Sequence, residues 1–338
     1  MRREKPPVFE SLRDLRVVIV GASSGIGRAA ALAFAREGAR LVIAARRAEV
    51  LADVARECQA AGGKALAVPT DATDPAAVQA LAQQADVAMG GIDVWINNAG
   101  TGVFGPFQDA DIALHRRTIE VNLIGAMNGA WAVLPILRRQ GRGILINTVS
   151  LGGWTPAPYA AAYTASKFGL RGFAASLRQE LADQPDIHVC GVFPAMVDTP
   201  GFAHGANVSG RNLDPGPLLY TSEDVAKAFL KLARHPKDEV AVGWPARAGQ
   251  LSYTLARKPV ERLSGLAVDK LLARAKPAPR TEGALLTPLP EGQGTSGGWL
   301  AQKKLPSAGP LSLGLAGAGL AGLFLLAGVG RRRDRLRG

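Results

Sequence analysis

A chain of 338 residues, 47% of them hydrophobic, has room for one large α/β domain plus additional segments. Its two cysteines, Cys58 and Cys190, lack metal-ligand spacing, and its four histidines, His115, His188, His204 and His235, are dispersed, so no metal is expected. The net charge of +12 argues weakly for nucleic acid, because residues 331–338 alone carry five Arg and one Asp and no aromatic-interleaved basic stripe is present.

Residues 1–11 read as an N-terminal arm. The stretch Met1–Pro7 is followed by no apolar core and is not a secretory signal. Leu15–Val20 is a short, β-branched apolar run and predicts a buried strand. It leads into Gly21-Ala22-Ser23-Ser24-Gly25-Ile26-Gly27 and then an Ala-rich helix over 28–36. Strand, glycine loop and helix together form the context of a dinucleotide site. The glycines permit a tight turn and close backbone approach, and the helix N-terminus offers free N–H groups and a positive dipole end. The spacing is G-x-x-x-G-x-G.

A second strand, Arg40–Ala45, ends in Arg46-Arg47. An acidic residue there would suit the ribose 2′-hydroxyl of NAD, whereas arginine accommodates the 2′-phosphate of NADP. NADP is therefore favoured over NAD, with Arg46 ahead of Arg47 as the contact. Solvated arginines at a strand–helix junction are the bland alternative. Further strands are predicted at Ala65–Val68, Ile92–Ile96, Ile187–Phe193 and Lys237–Gly243, alternating with helices around 111–138 and 161–183. The alternation predicts one parallel sheet covered by helices on both faces.

Tyr163 and Lys167 lie four apart on a predicted helix and so share a face, with Ser150 upstream. An ammonium beside a phenol favours the phenolate and lowers its pKa. A serine hydroxyl nearby can donate to a carbonyl oxygen. These groups suit proton transfer at an alcohol or carbonyl oxygen, and the hydride must come from a bound cofactor. Between Asp198 and Ser222 lies a Gly- and Pro-containing segment expected to be a substrate lid. Its Phe202, Val208, Leu213, Leu218, Leu219 and Tyr220, with Trp154, Pro156, Pro158 and Tyr159, are candidate pocket residues for an apolar or bulky carbonyl compound.

In these residues the chain resembles the short-chain dehydrogenase/reductase family over roughly residues 12–245. The resemblance rests on the 21–27 loop, Asp71, Asn97-Asn98-Ala99-Gly100, Asn122, Ser150, Tyr163, Lys167, Pro194 and Thr199. It implies a Rossmann-type doubly wound α/β fold and a catalytic tetrad of Asn122, Ser150, Tyr163 and Lys167. Tyr163 would be the acid in reduction and the base in oxidation, Lys167 would hold the nicotinamide ribose, and Asn122 would support a water relay. The implied cofactor contacts are Gly21, Ser23, Ser24, Gly25, Ile26, Gly27, Arg46, Arg47, Asp71, Asn98, Ala99, Gly100, Tyr163, Lys167, Pro194, Val197 and Thr199, although Asn98 reads better as a structural link between strands. A homo-oligomer is implied as well. Two departures are Val20, where the family often has Thr, and Ala195, where it often has Gly and where Ala resists positive φ.

The catalytic domain is expected over 12–249 and a helical extension over 250–275, with an amphipathic helix at Pro259–Ala275 that either packs on the domain or lies on a membrane. Residues 276–310, rich in Pro, Gly and Ser, read as a flexible linker. Leu311–Gly330 is uncharged over a length of about 30 Å as a helix, which predicts a transmembrane helix before the basic tail 331–338. The expected protein is a membrane-associated, cytoplasm-facing NADP-dependent oxidoreductase acting on a ketone or aldehyde and the matching alcohol. A membrane-bound, cofactor-binding regulator without turnover is the second reading.

Overall fold

The computed structural model describes residues 8–304. In chain order these contain β1 (Arg16–Val20), α1 (Gly25–Arg36), β2 (Arg40–Ala45), α2 (Ala48–Ala60), β3 (Lys64–Pro69), α3 (Pro75–Met89) and β4 (Val94–Asn97). Next come β5 (Val103–Phe104), α4 (Ile112–Ile119), α5 (Gly125–Gln140), β6 (Gly143–Thr148), α6 (Ala161–Glu180) and β7 (Ile187–Pro194). The remainder is α7 (Gly201–His204), β8 (Ala206–Asn207), α8 (Ser222–Arg234), β9 (Glu239–Val242), α9 (Trp244–Leu255), α10 (Arg257–Arg274) and α11 (Trp299–Lys303).

Seven strands form one sheet in the order β3-β2-β1-β4-β6-β7-β9, and every neighbouring pair is parallel. This is a doubly wound Rossmann-type sheet with helices on both faces. Strand order reverses between β1 and β4, which opens a crevice at their carboxyl ends. The period of two along each strand divides the core. Val17, Ile19, Leu41, Ile43, Val94 and Ile96 face α1, α2 and α8, whereas Val18, Val20, Val42, Ala44 and Trp95 face α3, α5 and α6. Local chemistry sets the helix ends. The Asp74 carboxylate accepts from the N–H groups of Ala76 and Ala77, Pro75 opens α3, and Gly90 closes it in a left-handed conformation. Thr221 and Asp224 make a reciprocal capping box on α8.

Ile112–Gln140 is one apolar run, long enough by composition to cross a membrane. Here its apolar face is occupied by the sheet, with Val133 and Leu137 fully buried. A π-helical turn, Glu120–Ile124, separates α4 from α5. The predicted helix at 259–275 is α10, which packs on α9. None of its residues is buried, and Leu263, Leu266 and Leu271 stay exposed.

The largest departure from expectation concerns 276–310. Its described part, 276–304, is docked on the catalytic domain instead of hanging free. Thr281 exchanges both main-chain hydrogen bonds with Asn207, and Leu285 is buried with Val103, Leu114, Ala206 and Val208. The segment lacks periodicity because it docks mainly through its backbone. The expected transmembrane helix, Leu311–Gly330, and the tail 331–338 lie outside the described residues, as do residues 1–7.

Candidate active site

The crevice begins at the glycine loop. Gly21 has φ +88°, and a Cβ there would lie 2.5 Å from the Ala99 nitrogen, so only glycine lets the β1 and β4 loops touch. A Cβ on Gly27 would meet the Gly21 carbonyl oxygen at 2.0 Å. Ser24 precedes α1 without capping it through its side chain. The first-turn N–H groups are thus left to other acceptors, and one of them, on Gly25, donates to the Gly294 carbonyl oxygen at 2.9 Å. Ile26 packs against the core from inside that first turn. Asn98 donates to the Gly21 carbonyl at 3.0 Å and accepts from the Thr148 hydroxyl at 3.2 Å, so its side chain ties β1, β4 and β6 together.

Opposite this loop the chain gathers its acid–base groups. Asn122, 1% exposed in the π-helical turn, accepts from the Thr101 N–H and donates to the Thr101 carbonyl, both at 2.8 Å, and to the Ser166 hydroxyl at 2.9 Å. Ser166 in turn donates a hydrogen bond to the Tyr163 carbonyl at 2.7 Å. The network locks the turn of α6 that carries Tyr163 and Lys167, and π-bulges are frequent at functional sites. A Cβ on Gly100 would lie 3.6 Å from Asn122 Oδ1 and 3.7 Å from Lys167 Nζ, so Gly100 stands between the two. Ser150 closes the end of β6, accepts from the Gly152 N–H at 3.0 Å and hydrogen-bonds Tyr163.

The expected depression of the Tyr163 pKa by Lys167 is absent. Burial pushes the phenol up, and the bond from Ser150 offsets this only in part. The Lys167 ammonium lies 5.7 Å from the Tyr163 ring centroid and is directed to the Thr148 carbonyl at 2.9 Å. Burial brings Lys167 itself down to about 8.

Beyond the carboxyl ends of β2 and β3, Asp71 accepts from the Thr73 N–H and hydroxyl through one oxygen and from Arg117 at 2.8 Å through the other. Burial alone would raise its pKa, but the bonds from Thr73 and Arg117 together hold it below the usual carboxylate range. Arg46 donates to the carbonyl oxygens of Ala284 and Leu285, and Arg47 to those of Leu289 and Glu291 and to the Ser23 hydroxyl. Neither guanidinium pairs with a carboxylate among the described residues.

At the other end Pro194 closes β7, Val197 bridges to Tyr220, and Thr199 packs against Gly25, whose added Cβ would meet Thr199 Cβ at 3.3 Å. Ala195 carries no positive φ. Its N–H donates to the Val242 carbonyl at 2.9 Å, so this departure from the family pattern introduces no strain.

Several candidate pocket residues are core instead. Trp154 is 3% exposed and stacks on Phe193 with centroids 3.9 Å apart. Its indole donates to Glu239, which also holds Arg171. Leu219, Val208 and Tyr220 are buried as well. Apolar residues in a loop fill the space beneath it as readily as they line a ligand cavity, and the sequence does not separate the two.

Four residues of the crevice carry no motif. Arg28 donates to the Gln293 carbonyl, Arg117 to Asp71, and His204 contacts the Glu291 carbonyl. Asp198, 3% exposed, accepts from the Ser296 hydroxyl and from the N–H groups of Gly297 and Trp299. Only a surplus of arginine around the glycine loop hints at this set. Cys58 and Cys190 are buried and free, and desolvation pushes both thiols up to about 12.

Comparison with known proteins gives a consistent picture. The family profile described as short chain dehydrogenase matches residues 16–206. The uncharacterized oxidoreductase YxnA of Bacillus subtilis is 31% identical, over 96% of this chain and 93% of that protein. The ketoacyl reductase HetN of Nostoc is 34% identical, over 77% of this chain and 89% of its own length. A 3beta-hydroxysteroid dehydrogenase of Eggerthella lenta is 35% identical over 67% and 89%. Among solved structures, an alcohol dehydrogenase from Thermococcus sibiricus complexed with 5-hydroxy-NADP superposes with TM-score 0.59 and 28% identity, covering 67% of this chain and 94% of its own.

Proposed function

This chain belongs to the short-chain dehydrogenase family of oxidoreductases, and from that premise we propose that it is NADP-dependent and interconverts a ketone or aldehyde with the corresponding alcohol. The observation that carries the reading is the convergence of Ser150, Tyr163, Lys167 and Asn122 beside a glycine loop at the carboxyl edge of the sheet. The cradle fits a dinucleotide: Gly21 and Gly27 stand where any Cβ would collide, and the α1 N-terminus and the arginines 28, 46 and 47 supply donors for phosphate. Arg46 and Arg47 favour NADP over NAD, and the similarity to a structure complexed with 5-hydroxy-NADP supports the same choice.

The nicotinamide, when bound, supplies or accepts the hydride. In reduction the Tyr163 hydroxyl gives its proton to the substrate oxygen, and in oxidation the phenolate removes it. Its raised pKa keeps the phenol protonated at neutral pH, the state that reduction requires. The Ser150 hydroxyl donates to the same substrate oxygen. Lys167 places positive charge near the phenol, and Asn122 fixes the turn from which both project. An apolar substrate is supported by the similarity to a ketoacyl reductase and a 3beta-hydroxysteroid dehydrogenase. The test is NADPH consumption by purified protein across a panel of ketones and aldehydes.

A homo-oligomer and membrane attachment complete the proposal. Ile124, Met127, Trp131 and Phe168 leave an exposed apolar strip on the helical layer of α5 and α6, suited to a second copy. Leu311–Gly330 has the length and composition of a membrane anchor, with the catalytic domain on the cytoplasmic side.

A further inference from the structure

The segment after α10 runs back past the ends of β2 and β3 and across the glycine loop. At the adenosine end Arg46 donates to the Ala284 carbonyl at 2.8 Å and Arg117 to the Leu285 carbonyl at 3.4 Å. Arg47 then holds the carbonyls of Leu289 and Glu291, at 3.0 and 3.1 Å. Arg28 holds that of Gln293 at 2.6 Å, and the Gly25 N–H that of Gly294 at 2.9 Å. Past the glycine loop, the Ser222 hydroxyl donates to the Thr295 carbonyl at 2.6 Å. Six consecutive donor groups are thus met by main-chain oxygens of one segment. They include the first-turn amide of α1 and the two arginines that end β2, the groups suited to dinucleotide phosphates.

We propose that residues 281–299 are an autoinhibitory strap, which occupies the phosphate donors of the cofactor crevice with its own carbonyl oxygens and must leave before the dinucleotide binds. The inference rests on the crevice being a dinucleotide site. Its two ends are anchored differently from its middle. At one end Thr281 pairs with Asn207 and Leu285 is 1% exposed, and at the other Asp198 takes three donors from Ser296, Gly297 and Trp299. Close backbone contact fixes both anchors. A Cβ on Gly283 would lie 2.4 Å from the His204 carbonyl oxygen, and one on Gly297 would lie 2.4 Å from that of Thr199.

The middle, 286–294, is held mainly by carbonyl-to-cation contacts. These are weaker than the charge-assisted bonds a phosphate would make to the same groups. Clustered positive charge also favours the exchange: burial, then Arg46 and Arg28, lower the Arg47 pKa, so an anion relieves repulsion that a neutral carbonyl does not. A strap that is closed most of the time lowers apparent cofactor affinity in proportion to the small fraction that is open, the apparent Kd being the intrinsic Kd divided by that fraction. The Pro- and Gly-rich composition follows from this role, because the segment presents its backbone and not its side chains.

The experiment uses the full chain and two substitutions outside the crevice donors, Gly283→Val and Gly297→Val, each of which forces one anchor off. NADPH affinity is measured by fluorescence titration, and hydrogen exchange of the strap is followed in the parent with and without NADPH. The expected result is a Kd at least tenfold lower in each variant, and faster exchange over 283–297 when NADPH is added to the parent. Unchanged or weaker affinity in folded variants would overturn the proposal. So would slower strap exchange with NADPH, which would make the segment a lid that closes over the cofactor. If a variant does not fold, the exchange measurement on the parent decides. NADPH binding that ignores the strap removes this proposal alone, whereas the absence of binding by parent and variants removes the dinucleotide reading and the strap with it.

Discussion

The Lys167 ammonium donates to the Thr148 carbonyl oxygen at 2.9 Å, deep beneath the Tyr163 ring. That bond fastens α6 to the end of β6. It also leaves a cation 4% exposed with no carboxylate partner among the described residues, and burial lowers its pKa to about 8. Below that pH the folded protein carries a desolvated charge that the unfolded chain, with a lysine of ordinary pKa, carries in water.

The sign of the pH dependence follows. The unfolded state binds more protons between about pH 8 and the ordinary lysine value, so the Lys167 contribution to stability rises with pH through that window. Lys167→Met should therefore stabilise the fold at pH 7 by about 1–2 kcal/mol, the relieved desolvation outweighing the lost hydrogen bond. The gain should shrink at pH 9.5, and turnover should be lost at both. Urea midpoints at the two pH values check this, and a destabilised variant at pH 7 would contradict it.

Cofactor preference is expected to reside in Arg46. Loss of a charge-assisted contact to the 2′-phosphate is worth about 1.5–3 kcal/mol, roughly a tenfold or greater change. Arg46→Asp should remove or reverse a preference for NADPH over NADH, as read by titration with both. Equal affinities in the parent would refute the assignment.

Trp154, buried and stacked on Phe193, is expected to stabilise the fold and not to contact substrate. Trp154→Ala would empty the stack on Phe193 and free Glu239 from the indole, at a cost of about 3–5 kcal/mol. Thermal unfolding should show a large drop in Tm, with KM little changed in whatever protein remains folded. A normal Tm with a raised KM would return Trp154 to the substrate pocket.

If Leu311–Gly330 anchors the chain, full-length protein should sediment with membranes and resist extraction by high salt and alkaline carbonate. A protein that stays monodisperse without detergent would rule the anchor out.

The parts legible in the sequence are those whose chemistry is local. The glycine loop sits between one strand and one helix, and Tyr163 and Lys167 need only one helical turn to share a face, so their spacing suffices. The alternation of strands and helices carries the sheet as well. Three features were not legible. Asn122 is matched by the family pattern, but the π-helical turn that carries it is announced by no periodicity. The Tyr163 pKa depends on burial and on where Lys167 points, which are tertiary facts. The middle of the segment, residues 286–294, docks mainly by backbone carbonyls, which are the same for every sequence, so it reads as a linker.

The most direct test of the account is Tyr163→Phe in the full-length chain, assayed for NADPH consumption with a broad panel of ketones and aldehydes and, in parallel, for NADPH binding. The parent should turn over at least one carbonyl class. The variant should lose that turnover by a factor of about 100 or more, the scale of a general acid, while NADPH binding stays largely intact. Turnover equal to the parent would contradict the assignment of Tyr163 and, with it, the proposed chemistry of the site.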